Sequence, residues 1–194
     1  MIFNYKSFCN PAPIFFRGNA VCCPPRPTGR IEGDDPLDRL LEATAETVHL
    51  PRLRRLLDYW HAQRGERRLP SRRDLDPMDF PWLLGNISLA EVVRDPAGGP
   101  TRYRLRLVGT RAAERFGYDP TGRYIDELPE PTYRERVHAA YDEVVRRGVP
   151  LVERLDMLID DRTHDYEMLR LPLGMDGETV DMILLAADFF TADA

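Results

Sequence analysis

Between Arg52 and Arg73 the chain carries eight arginines against Asp58 and Glu66, a local charge of +6 in a protein whose 194 residues sum to −5. Guanidinium groups bind phosphate and carboxylate oxygens in bidentate fashion, so such a run could receive a phosphate-bearing small molecule or an acidic partner. The competing reading is intramolecular pairing, because residues 31–194 outside this run carry −15, the first 30 residues adding +4. His138 and Asp142 stand four residues apart on a predicted helix, a spacing that lets the side chains meet, although a solvated helix face explains them more plainly. Asp160, Asp161 and His164 offer donors for a metal, but a polar hairpin turn is the simpler account and no metal site is expected. Ser7, Ser71 and Ser88 lie in no nucleophile elbow, and neither a Walker A loop nor GxGxxG occurs. With no acid/base pair at persuasive spacing, the chain reads as a non-enzyme.

Composition narrows the function classes. A sequence pI near 5.4 and an acidic body disfavour nucleic-acid binding. No apolar run approaches the roughly 20 residues that span a bilayer, and Pro11, Pro13 and Arg17 interrupt the apolar N-terminal end where a secretory signal would need continuity. Cys9, Cys22 and Cys23 are odd in number and form no Cys-x-x-Cys pair, so neither a disulfide framework nor a zinc knuckle is indicated. These features suggest a cytoplasmic protein. The only lysine, Lys6, and three of the four asparagines fall in the first 20 residues. Residues 1–33 are accordingly expected to be a poorly ordered extension, or upstream sequence brought in by a misassigned start.

The elements that must position any site follow from periodicity. Residues 34–84 read as an N-terminal helical segment. Asp35-Pro36 opens a helix with Leu37, Leu40, Leu41, Ala45 and Val48 on one stripe, and Pro51 opens a second, Pro51 to Arg64, with Leu53, Leu57 and Trp60 on its apolar face. Asp76-Pro77 caps a third, ending near Gly85. Residues 85–190 read as a sheet domain. Asn86–Val93 and the Tyr103 strand form a hairpin; in the second strand Tyr103, Leu105 and Leu107 alternate with arginines, one face buried and one wet. A short helix from Arg111 to Phe116, capped by Thr110 and stopped by Gly117, precedes a type I turn at Asp119-Pro120-Thr121-Gly122. A capping box of Thr132 and Glu135 opens a longer helix ending at Gly148. Three antiparallel strands complete the order, about Leu151–Ile159, His164–Leu173 and Glu178–Phe189. Val180–Ala187 is apolar enough for a central strand covered on both faces.

Tyr59-Trp60, Arg64-Gly65, Leu69-Pro70-Ser71-Arg72, Asp76-Pro77, Arg106-Leu107-Val108-Gly109-Thr110, Phe116-Gly117, Asp119 with Thr121-Gly122-Arg123, and Leu171-Pro172-Leu173 together resemble a bacterial family of single-domain PAS proteins common in alphaproteobacteria. The resemblance covers about residues 50–189. It implies an α+β fold, a PAS-like five-stranded antiparallel sheet with helices on one face, preceded by the N-terminal helices. It also implies a sensory or regulatory module that works by binding a small molecule, a signalling protein, or both. No output domain is read in the chain, so its output is expected to pass through a partner or a homodimer. A ligand-free interaction scaffold is the alternative, and a small enzyme using the cavity a weaker one.

Site candidates follow from that frame. Leu105, Leu107, Phe116, Tyr124, Tyr141 and Leu169 are the candidate pocket lining. Arg64, Arg72 and Arg123 fall on motif positions and are the candidate anion or partner contacts. Leu53, Leu57 and Trp60 are the candidate dimer or partner helix. PAS domains with flavin photochemistry resemble one another in a reactive cysteine on the short helices. Residues 24–194 contain none, which excludes that chemistry. Haem-binding PAS domains often use a histidine on the long helix; His138 lies there, at the edge of the apolar stripe, and haem ligation through it is not expected.

Overall fold

The computed structural model describes residues 37–159 and 162–190, together with the backbone of 15–16 and 19–20, which pair as a two-residue antiparallel ladder. The rest of the extension inferred for residues 1–33, and Asp160 and Asp161 of the doubtful metal site, lie outside the described residues. No helix among the described residues is long and apolar enough to cross a membrane.

The principal sheet contains β1 (Leu41–Glu42), β2 (Ile87–Val93), β3 (Arg102–Val108), β4 (Leu151–Ile159), β5 (Arg162–Leu173) and β6 (Met182–Phe189). Every neighbouring pair is antiparallel, in the order β1-β4-β5-β6-β2-β3. This is the expected five-stranded sheet with one short strand added at its edge. The expected central strand is central: β6 lies between β5 and β2, and all residues from Ile183 to Asp188 are buried. The helices are α1 (Pro51–Arg64), α2 (Thr110–Phe116) and α3 (Pro131–Arg147), with short 3-10 turns at Arg72–Asp74, Pro77–Asp79, Pro81–Asn86 and Ile125–Glu127.

The helices between the strands cover one face of the sheet, and the preceding N-terminal helix covers the other. α2 and α3 sit over the face that carries Arg170, Leu185 and Phe189, whereas α1 packs on the reverse of β5 and β6. The reason is visible at its start. Leu50, the residue before α1, provides no side-chain cap; instead Glu167 of β5 accepts hydrogen bonds from the backbone N–H groups of His49 (3.0 Å) and Leu50 (2.9 Å). A carboxylate at a helix N-terminus satisfies orphan donors and complements the helix dipole. Arg52 adds an ion pair to Asp188 of β6 at 3.0 Å, and the Trp60 indole donates to the Pro172 carbonyl at 2.9 Å. Leu53, Leu57 and Trp60 are therefore 0%, 2% and 2% exposed within their own chain. They are core, and the expectation that they present a surface to a partner is corrected.

Local chemistry also corrects four element readings. No helix covers residues 37–48: Thr44 Oγ1 accepts from the Glu46 and Thr47 amides, while the Thr47 hydroxyl donates to the Glu42 carbonyl at 2.6 Å. Threonine side chains here compete with helical backbone bonds and leave turns flanking β1. α2 starts after Gly109 with no side-chain cap from Thr110. α3 is capped by Glu130, whose carboxylate accepts from the Thr132 and Tyr133 amides, instead of by Thr132. The turn after α2 falls one residue late, with Arg123 N–H bonded to the Pro120 carbonyl and Gly122 at φ 88°, the position at which a type II turn needs glycine.

Candidate functional site

Between α3 and the sheet lies a partly enclosed cavity of about 120 Å³. Its floor is contributed by alternate residues of β5 and β6, since successive side chains of a strand face opposite sides: Tyr166, Met168 and Arg170, then Leu185, Ala187 and Phe189. α2 and α3 close it with Arg115, Phe116, Tyr133, Arg136, Val137 and Tyr141, and β2 supplies Ser88. A second hollow, about 360 Å³ and more open, lies beside β1 and the other faces of β4 and β5, near Leu41, His49 and Arg154. The first has the character of a ligand site, mostly apolar walls with a few converging polar groups.

A three-residue charge cluster adjoins the cavity, with Arg136 and Arg170 in its lining. Glu153 of β4 takes Arg170 Nη2 on one carboxylate oxygen at 2.7 Å and Arg136 of α3 on the other. Glu153 and Arg170 side chains are 1% and 4% exposed. Burial alone would raise the Glu153 carboxyl; Arg170 and Arg136 together outweigh it and hold the group below its ordinary range. Arg170 Nε and Nη1 are buried and have no hydrogen-bond partner among the described residues. Also in the lining, Arg115 donates to Asn86 Oδ1 at 3.0 Å and lies over the Phe189 ring, and burial lowers its pKa. Burial also raises the hydroxyls of Tyr133 and Tyr141, and pushes Tyr166 up to about 12, so all three are neutral donors in the physiological range.

Of the six pocket candidates, Leu105, Phe116 and Tyr141 line this cavity. Leu107 does not: a bulge at Arg106 shifts the β2–β3 register, so that Leu89 faces Leu107 while Ala90 faces Leu105. An extra residue reverses the alternation, which leaves Leu107 43% exposed and brings Val108 to the cavity. Tyr124 instead lies under the Arg102 guanidinium, 3.8 Å from its ring centre, and Ile125 turns inward. Leu169 is fully buried on the α1 side of β5, opposite to its neighbours Met168 and Arg170.

The other candidates are placed elsewhere. His138 approaches Asp142 at 3.1 Å and the Thr101 carbonyl at 3.3 Å, and Tyr103 donates to Asp142 at 2.6 Å. This network is outside the cavity lining, as are Arg64, Arg72 and Arg123. Arg64 and Arg72 donate to the carbonyls of Arg67 and Leu75 at 3.2 and 3.0 Å, and Arg123 is exposed. Much of the arginine-rich run is engaged within the chain: Arg54 on the Val48 carbonyl, Arg68 on that of Arg147, Arg67 on Asp74 and Arg52 on Asp188. Among the described residues no group of three or more His, Cys, Asp or Glu is arranged to hold a metal.

Sequence reasoning missed Glu153, Arg136 and Arg170. A charged residue in a strand reads as its wet face, and only the helix packed above turns that face inward. One signal was available: Arg170 interrupts Met168-Leu169-Arg170-Leu171-Pro172-Leu173, a segment otherwise apolar on both sides.

An antiparallel sheet interrupted by a helical excursion, with a cavity between that excursion and the sheet, defines a PAS-like α+β fold. The model of the PAS domain family matches residues 48–186, and the chain belongs to that family. Similar solved structures include the PAS domain of BvgS from Bordetella pertussis, at 19% identity over 55% of this chain and 75% of that one, with a TM-score of 0.34. RsLOV D109G is similar at 14% identity over 57% of this chain and 62% of that one, with a TM-score of 0.39. No curated protein matches the chain significantly.

Proposed function

We propose that the chain is a sensory and regulatory PAS module that binds a small molecule in the cavity between α3 and the sheet and acts through a partner, a signalling protein or a second copy. It works in the bacterial cytoplasm and performs no chemistry of its own. The observation that carries this reading is the cavity, about 120 Å³ with aromatic walls and a buried charge cluster. A fully packed scaffold would have no use for such a space at the centre of its fold. The state of the cavity can reach the surface through the strands that form its floor, because β5 and β6 also carry Glu167 and Asp188, which hold the start of α1.

The enzyme reading has less support from the residues weighed for it. Tyr141 is held protonated by burial, and Asp142 and His138 lie outside the lining. Native mass spectrometry of protein purified from its own host tests the reading directly. A mass excess lost on denaturation is expected; bare polypeptide at every stoichiometry would favour the interaction scaffold instead.

A further inference from the structure

We infer that the molecule held in this cavity carries a carboxylate and that Arg170 is its anchor. The inference rests on the small-molecule reading above. Arg170 is 4% exposed and satisfies Glu153 through Nη2 alone, leaving Nε and Nη1 buried without a partner among the described residues. Buried donors on a charged group are rarely left unmade. Arg170 is part of the cavity lining, which is where we infer that the acceptor for these N–H groups sits.

The charge balance distinguishes an anion from a neutral acceptor. Arg136 and Arg170 share the single carboxylate of Glu153, so these three side chains sum to +1, and Arg115 adds a further cation to the lining. Of the other acidic groups along the lining, Glu130 is engaged in capping α3 and Asp156 has an interaction of its own. A water molecule would satisfy the N–H groups without balancing the charge. A carboxylate does both, and the planar guanidinium matches its two oxygens. Phe116, Tyr133, Tyr141 and Phe189 provide an aromatic enclosure for the remainder of the ligand. A cavity of about 120 Å³ suits one substituted ring or a short chain, since a cavity of comparable size is known to admit benzene. The ligand class is a small aromatic or medium-chain monocarboxylic acid.

The test is isothermal titration calorimetry of the full chain with two matched pairs, benzoate against benzyl alcohol and hexanoate against 1-hexanol. Each acid is expected to bind ~10- to 100-fold more tightly than its alcohol, the range set by charge-assisted hydrogen bonds. Arg170→Met should abolish that preference while leaving alcohol binding in place. Because that variant also unpairs part of the Glu153 cluster, Arg170→Lys provides a second reading: it keeps the charge, loses the fork, and should retain only part of the preference. Equal affinity for acid and alcohol in the unaltered protein overturns the carboxylate inference and leaves the cavity a ligand site. Failure of all four probes to bind overturns the inferred ligand class, while the native mass measurement decides separately whether the cavity holds a ligand.

Discussion

Replacing Glu153 with glutamine is the most exacting perturbation of the site, because it preserves shape and removes one charge. The Glu153 side chain is 1% exposed, and it is paired with guanidinium groups that are 4% and 20% exposed. The amide can still accept a hydrogen bond, but two cations then face each other without a counter-charge. Breaking a buried pair by removing one partner costs about 3–5 kcal/mol, a large part of the 5–15 kcal/mol typical of a whole domain. For a chain of this size each kcal/mol corresponds to roughly 2–4 °C in Tm, so Glu153→Gln should melt ~6–20 °C lower by calorimetry at pH 7. The same substitution should change the acid limb. The Glu153 carboxyl is held below its ordinary value in the fold, so its contribution is complete above about pH 4.3, the unfolded value. It is lost as the pH falls through the lower folded value. The variant should therefore lose less stability than the unaltered protein on going below that range. A Tm change under ~2 °C, or parallel acid limbs in the two proteins, would refute the charge cluster as a structural element.

Four further outcomes are expected. Leu57→Ala should cost about 2–5 kcal/mol in urea unfolding, with unchanged oligomeric state at concentrations where the variant remains folded; loss of an oligomer from an equally stable variant would return Leu57 to an interface. Glu167→Ala should destabilise the chain by about 1–3 kcal/mol and raise hydrogen exchange first at the start of α1; protection unchanged there would contradict the cap. Gly109→Ala places a Cβ 2.6–2.7 Å from the carbonyl oxygens of Gly85, Ile87 and Leu84, so overpacking should cost about 1–3 kcal/mol, with amide shifts concentrated in residues 84–87 and α2. Tyr166 is pushed up to about 12. The stability it contributes is complete below about pH 10, the unfolded value, and fades as the pH rises toward 12. In a spectrophotometric titration its ionisation should accompany alkaline unfolding, and a titration complete near pH 10 in the folded protein would contradict its burial.

The sequence alone determined those elements whose signals are local. Pro51 and the Leu53, Leu57 and Trp60 spacing define α1 to the residue, and Gly117 and Gly148 stop α2 and α3 in left-handed conformations. Alternation and short turns place the strands of the antiparallel sheet because a strand's side chains and a hairpin's length are both set within a few residues. Leu105, Phe116 and Tyr141 were legible as cavity lining on the same grounds.

Tertiary structure decided what depends on residues distant in sequence. The bulge at Arg106 is a property of pairing between two strands, and it turned Leu107 outward. Glu167 caps a helix that begins more than a hundred residues earlier, which is why the apolar face of α1 became core on the far side of the sheet. The meeting of Glu153, Arg136 and Arg170 has the same origin. Each is an ordinary surface charge on its own strand or helix, and only the packing of α3 over β4 and β5 removes water from all three and makes a buried, incompletely satisfied cation of Arg170.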